Sequence, residues 1–181
     1  MSLDEITSAS LSPRCLRCIL DKFIDYFHID GYTFHDDWGA QRAPFFSRET
    51  WLEMIAPYVK KMVDHCHARG VIFELHSCGC TESMTDLISS IGIDMWRPQP
   101  MNDLVKMYRE YGDKIHFGYR VPLVPSPGAP GAMPSDEELV AAAKNVMETF
   151  NIPGRYIYTG PYNPPAFRNA LYELSRKAYA E

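Results

Sequence analysis

The chain has 181 residues, with 18 basic against 23 acidic side chains and a formal net charge of −5. Its 46% hydrophobic and 23% charged content is that of one soluble globular domain, and a chain this long buries roughly 70% of its unfolded surface without staples. The acidic balance argues against a polyanion partner. The longest apolar run, 88–93, is interrupted by Ser89, Ser90 and Gly92 and spans no membrane.

Residues 1–12 are polar and read as a frayed, tag-like start without a secretory pattern, and 13–181 read as a single domain. Five cysteines, an odd and low number, indicate reduced thiols in a cytoplasmic protein. From Pro13 to Phe27, Leu16, Ile19, Leu20, Phe23, Ile24 and Phe27 recur at helical spacing. Tyr32 to Trp38 reads as a short strand ending at Gly39. Ser47 opens a single helix running to about Gly70, with Trp51, Ile55, Val59, Met62, Val63 and Cys66 inward. A strand at Val71–His76 and a helix at Thr81–Ile91, capped by Thr81, follow. The alternation continues with a strand at Ile93–Trp96, a helix at Asn102–Tyr111 and a strand at Lys114–Tyr119. Ser135 and Glu138 have capping-box spacing at the head of the next helix. Arg155–Tyr158 is the last strand and Pro164–Ala180 the last helix. Five strands alternating with helices predict an α/β fold of parallel β/α units. The link from Val121 to Pro134 lacks periodicity and is rich in proline, so it is expected to serve the active end.

The chemistry concentrates at strand ends, where α/β folds bind ligands. In Glu74-Leu75-His76-Ser77-Cys78-Gly79-Cys80, strand alternation sends Glu74, His76 and Cys78 to one face. A carboxylate, an imidazole and a thiol are all zinc-ligand types. His76 and Cys78 are the first two candidate ligands; the third is Glu74, Cys80 or a residue from another strand. At His35-Asp36-Asp37-Trp38-Gly39-Ala40-Gln41, His35 and Asp37 share a face. Asp37 is a candidate to orient a ligand or act as base, Asp36 is as suited to capping, and Gln41 and Trp38 are candidate pocket walls. Gly118-Tyr119-Arg120 offers close backbone approach and a guanidinium for an anionic group. Cys15-x-x-Cys18 lies in a helix, outside the setting of a redox pair. In His65-Cys66-His67, Cys66 faces inward and the two histidines are left to solvent. The chain has neither a phosphate-cradling glycine loop nor a Gly-x-Ser-x-Gly elbow.

At these residues the chain resembles the uroporphyrinogen decarboxylase superfamily, whose fold is a (β/α)8 barrel. The resemblance rests on Asp36-Asp37-Trp38-Gly39, Trp51–Tyr58, His76-Ser77-Cys78-Gly79, Gly118–Pro122 and the turn Gly160–Pro165. The Asp-Asp-x-Gly and His-x-Cys-Gly pair is most similar to the methylcobalamin:coenzyme M methyltransferase branch. That resemblance implies a zinc held by His76 and Cys78, which binds and deprotonates a thiol acceptor for a methyl group carried by a methyl-corrinoid on a partner protein. Where the branch places a third zinc-binding cysteine, this chain reads Thr159-Gly160-Pro161-Tyr162, so Glu74 is taken as third ligand. Tyr119, Arg120 and Gln41 are expected to contact substrate, with Asp37 catalytic. The implied fold is a partial TIM-type barrel of about five of eight β/α units, its open edges covered by a second copy, as is favoured, by a partner chain, or by a rearranged helix such as Pro13–Phe27. Two further readings are a decarboxylase-like protein acting on a tetrapyrrole, and a non-catalytic module that completes another chain's barrel.

Overall fold

A computed structural model describes residues 13–119, 123, 133–159 and 163–179, with the backbone alone for 13–16 and 119. The elements in chain order are α1 (Pro13–Phe27), β1 (Gly31–His35), α2 (Arg48–Met54), α3 (Ala56–Ala68) and β2 (Ile72–Ser77). A 3₁₀ turn at Glu82–Met84, α4 (Thr85–Ser90), β3 (Met95–Pro98), α5 (Leu104–Tyr111) and β4 (His116–Tyr119) follow. The last are α6 (Asp136–Thr149), β5 (Tyr156–Tyr158) and α7 (Pro165–Tyr179).

The five strands form one parallel sheet in the order β1-β2-β3-β4-β5. Each strand lies beside its predecessor, so right-handed crossovers place every connecting helix on the same face. This is an α/β fold with the arrangement of a partial parallel β/α barrel, as the alternation predicts. Phe73, Leu75, Trp96 and Phe117 point to the helices and are fully buried. The opposite face carries Thr33 and His35, Ile72, Glu74 and His76, Met95 and Arg97, and is partly open.

Two helices differ from the sequence expectation. The single helix over 47–70 is two, broken at Ile55. Pro57 explains the break, because its ring would strike the carbonyl of Glu53 and it has no N–H to continue the ladder. The helix expected from Thr81 begins as a 3₁₀ turn, and the Thr81 side chain makes no cap bond. Its cap comes instead from outside: Asn102 Oδ1 accepts the N–H groups of Thr81 and Glu82 at 2.8 and 2.9 Å. The capping box at Ser135 and Glu138 forms as expected.

Helix α1 packs on α3 through a cluster of charges. His65 Nε2 lies 2.7 Å from Asp21, and Arg69 reaches both Asp21 and Asp25. His67 pairs with Asp94, whose Oδ2 also accepts the Phe73 N–H. Of the two histidines expected in solvent, His67 is exposed and His65 is largely covered, and each is paired with a carboxylate. Between them Cys66 is buried as expected, and burial pushes its thiol up to about 11. The link 121–134 lies outside the described residues except for Leu123, Met133 and Pro134.

Candidate metal centre

Three consecutive strand-end loops interlock at the C-terminal edge of β1, β2 and β3. The loop after β1 meets the turn after β2 through Cys80 N–H, which donates to the Ala40 carbonyl at 2.7 Å. Gly79 has φ +88°, and a Cβ there would lie 2.0 Å from the Gly39 carbonyl oxygen. Only glycine permits both the left-handed backbone and this close approach. Asn102, 4% exposed, joins the third loop: its Nδ2 donates to the carbonyls of Gly79 and Gln99, while its Oδ1 caps Thr81 and Glu82. Every hydrogen-bonding site of this buried amide is used.

On this frame His35, His76 and Cys78 bring one donor atom each to within 4.8 Å of one another. His35 and His76 are register partners on β1 and β2, so both rings leave the same face side by side. Cys78 lies one residue past β2, yet its Sγ returns to 3.7 Å from His76 Nε2 and 3.9 Å from His35 Nε2. On one tetrahedral zinc, a sulfur at about 2.3 Å and a nitrogen at about 2.0 Å lie about 3.6 Å apart. The two sulfur–nitrogen separations are close to that value, and all three donor atoms lie within the 4.8 Å over which a common cation could gather them.

The tautomer of His76 also fits. Its Nδ1 donates to the Arg97 carbonyl at 2.8 Å, which leaves the Nε2 lone pair aimed at the cluster. Burial keeps His76 below the ordinary histidine range, outweighing the carbonyl bond that favours its charged form. Neutral imidazole is the form a metal needs. His35 Nε2 lies 3.2 Å from Asp37 Oδ1. Asp37 is held below the usual carboxylate range chiefly by a hydrogen bond from the Cys78 thiol, and the same bond pushes Cys78 up. The Cys78 N–H also points at Asp37 Oδ1, at 3.3 Å. Cys78, Asp37 and His35 thus form one contiguous polar group beside His76. Among the described residues the group supplies two imidazoles and one thiol, three ligand types that a divalent metal such as zinc accepts.

The other candidates from sequence fall around this cluster. Glu74 lies two residues down β2, with its carboxylate taken up by neighbours. Oε2 accepts from Thr33 Oγ1 at 2.8 Å, and Oε1 lies 2.9 Å from Arg97 Nε. That last pair is a charge contact whose angle falls short of a hydrogen bond, so both atoms lack a hydrogen-bond partner. The residue grouped with His76 and Cys78 as a possible metal donor is His35, and Glu74 and Cys80 stand outside that group. Trp38 is core: 1% exposed, edge-on to Trp51 at 5.5 Å, with its indole N–H on Asp36 at 2.7 Å. Asp36 accordingly anchors Trp38. Gln41 is exposed on the same loop. Tyr119 ends β4 opposite Tyr158, its side chain undescribed, and Arg120 and the turn 160–162 lie outside the described residues.

Sequence reading noted His35 at its strand end but could not pair it with His76, because register between strands is not written in either strand. It missed Gln99 altogether. Gln99 Nε2 donates to Cys78 Sγ at 3.1 Å while Oε1 accepts the Gly79 N–H at 2.9 Å.

A groove of about 570 Å³ lies at the opposite sheet edge against β5, between α6 and α7. Its walls include Phe150, Ile157, Leu171 and Tyr172, and it shares no residue with the cluster. Among the described residues no helix is long and apolar enough to cross a membrane.

No family model matches the chain, and no curated protein matches it. Among solved structures, a crystal structure of a Xaa-Pro dipeptidase with methionine bound in its active site is similar over 92% of this chain, at TM-score 0.37 and 16% identity. The chain spans 35% of that protein's length.

Proposed function

We propose that the chain binds one zinc ion through His35, His76 and Cys78 and uses the remaining coordination position to activate a thiol that accepts a methyl group. The observation that carries the metal reading is the convergence of these three donors within 4.8 Å of one another, with Nδ1 of His76 already committed to a carbonyl. The methyl-transfer reading comes from the resemblance of Asp36–Gly39 and His76–Gly79 to the corrinoid-dependent methyltransferases.

A zinc held by His35, His76 and Cys78 would lower the pKa of a coordinated thiol, so that a thiolate would be available at neutral pH. Asp37, ionised and exposed beside the open position, orients the incoming S–H and passes its proton to water. The thiolate sulfur then attacks the methyl carbon of a methyl-corrinoid presented by a partner protein. A C–S bond forms, and the electron pair of the broken cobalt–carbon bond stays on the corrinoid. Tyr119, Arg120 and Gln41 are the proposed substrate contacts.

The test is metal content together with methylation of a small thiol by methylcobalamin. One zinc per chain, lost in Cys78→Ser along with thiol methylation, supports the proposal. A metal-free protein whose zinc titration is unchanged by Cys78→Ser overturns it.

The open sheet face favours a second reading, in which this chain is a module completed by another. Ile72 and Ile157 are 56% and 45% exposed on that face, and neither outer strand has a further partner among the described residues. Unpaired strand edges are templates for another chain. Sedimentation separates the cases: a monomer that turns over thiols by itself eliminates the module.

A further inference from the structure

The geometry points to Gln99 as a positioning residue that holds the Cys78 sulfur by an N–H···S hydrogen bond and tunes its donation to the bound cation. This rests on the metal reading above. The orientation of the amide is determined by its surroundings. The Gly79 N–H can only donate, so the Gln99 oxygen must face it, and the NH₂ group must face the sulfur 3.1 Å away. The backbone of Gln99 is fixed in turn, since its carbonyl accepts from the buried Asn102 amide at 2.9 Å.

A neutral amide suits this position in both states of the thiol. With the proton present, Cys78 donates to Asp37 and accepts from Gln99. With a cation present, the proton is gone and the acceptor contact to Gln99 remains. The amide therefore needs no rearrangement when metal binds. A hydrogen bond to a metal-bound thiolate draws electron density from the sulfur, so less reaches the cation and the cation polarises its fourth ligand more strongly. Partners of first-layer ligands commonly change affinity or activity by about 10–100-fold when removed. Gln99 also ties the two halves of the site together, because it stems from β3 while the sulfur it holds follows β2.

The experiment is cobalt substitution of the full chain, read through the thiolate-to-cobalt charge-transfer band. In Gln99→Leu the band is expected at lower energy than in the parent, because the sulfur lone pairs lose their stabilising donor. Gln99→Glu keeps the acceptor for Gly79 N–H and removes the amide donor, so it should shift the band the same way even if Gln99→Leu folds poorly. Zinc affinity in Gln99→Glu is expected to change by less than about 100-fold, as befits a group outside the coordination shell. A parent protein that shows no thiolate–cobalt band overturns the metal reading itself. A parent band that both variants leave at the same energy overturns the role of Gln99 and leaves the metal reading standing.

Discussion

His35 and His76 stand side by side as register partners on adjacent parallel strands, their rings edge to face with centroids 4.6 Å apart. Neither ring faces the helices, where the core is apolar; both leave the open face at the C-terminal edge of the sheet. The Cys78 sulfur completes the triangle from the next turn. Five predictions follow from the way this triangle is held.

The donor set should separate sharply from its neighbours on mutation. His35→Ala, His76→Ala and Cys78→Ser are each expected to weaken zinc binding by more than about 100-fold, beyond the effect of losing a supporting partner. Glu74→Gln, which alters the Thr33 and Arg97 contacts instead, is expected to leave zinc stoichiometry at one per chain. Competition with a chromophoric chelator measures all four. Equal losses in Glu74→Gln and His35→Ala would assign the third ligand to the carboxylate.

Metal affinity should rise with pH, and the proton responsible is the thiol's. Burial holds His76 below 6.5, so it is already neutral above that pH. Cys78 is raised above its ordinary 9.0, so it must release a proton when a cation binds at neutral pH. From about pH 6.5 up past 9.0, log K is expected to climb by about one unit per pH unit. Cys78→Ser should abolish the slope in calorimetric titrations run across that range.

Asp37 controls that proton. The hydrogen bond between the two groups is the leading cause of the raised thiol, so Asp37→Asn should let it fall toward its ordinary value. In metal-free protein the alkylation rate of Cys78 at pH 8 is then expected to increase several-fold. Peptide-resolved mass spectrometry distinguishes Cys78 from the exposed Cys18. An unchanged rate would show that Asp37 does not hold the thiol proton.

Gly79→Ala should damage both stability and site. The added Cβ would meet the Gly39 carbonyl, and the left-handed backbone would be strained as well. The expected loss is about 2–4 kcal/mol in urea unfolding, with zinc affinity falling alongside because the turn carries Cys78.

Asn102→Ala removes two donors and two acceptor contacts that join three loops. Left unpaired, those backbone groups should cost about 2–4 kcal/mol in total, since single orphaned groups cost about 1–3 and do not add fully. Asn102→Asp keeps the caps on Thr81 and Glu82 but loses both donors, so it should fall between the parent and Asn102→Ala in thermal unfolding.

The amino-acid sequence by itself determined the alternation of strands and helices, the parallel sheet and the shared face of Glu74 and His76. These follow from local periodicity, because side chains alternate along a strand and recur at three and four along a helix. The Ser135 cap was equally legible, since both of its partners lie within one turn. The break at Ile55 was also written there, in Pro57, though the apolar repeat runs through it and conceals it. Only the tertiary structure decided which donors meet. His35 lies 41 residues from His76, and nothing in either strand states their register; it is set when Phe34 and Leu75, register partners themselves, pack into the helix-covered core. The same holds for Asn102 capping Thr81 and for Gln99 reaching Cys78, 21 residues away. Strand alternation and the missing cysteine at Thr159–Tyr162 point to Glu74 as third ligand, but alternation places a side chain on a face and does not say which neighbour will take up its charge. Arg97 and Thr33, brought alongside by β3 and β1, take it up, and the donor that lies with His76 and Cys78 is His35.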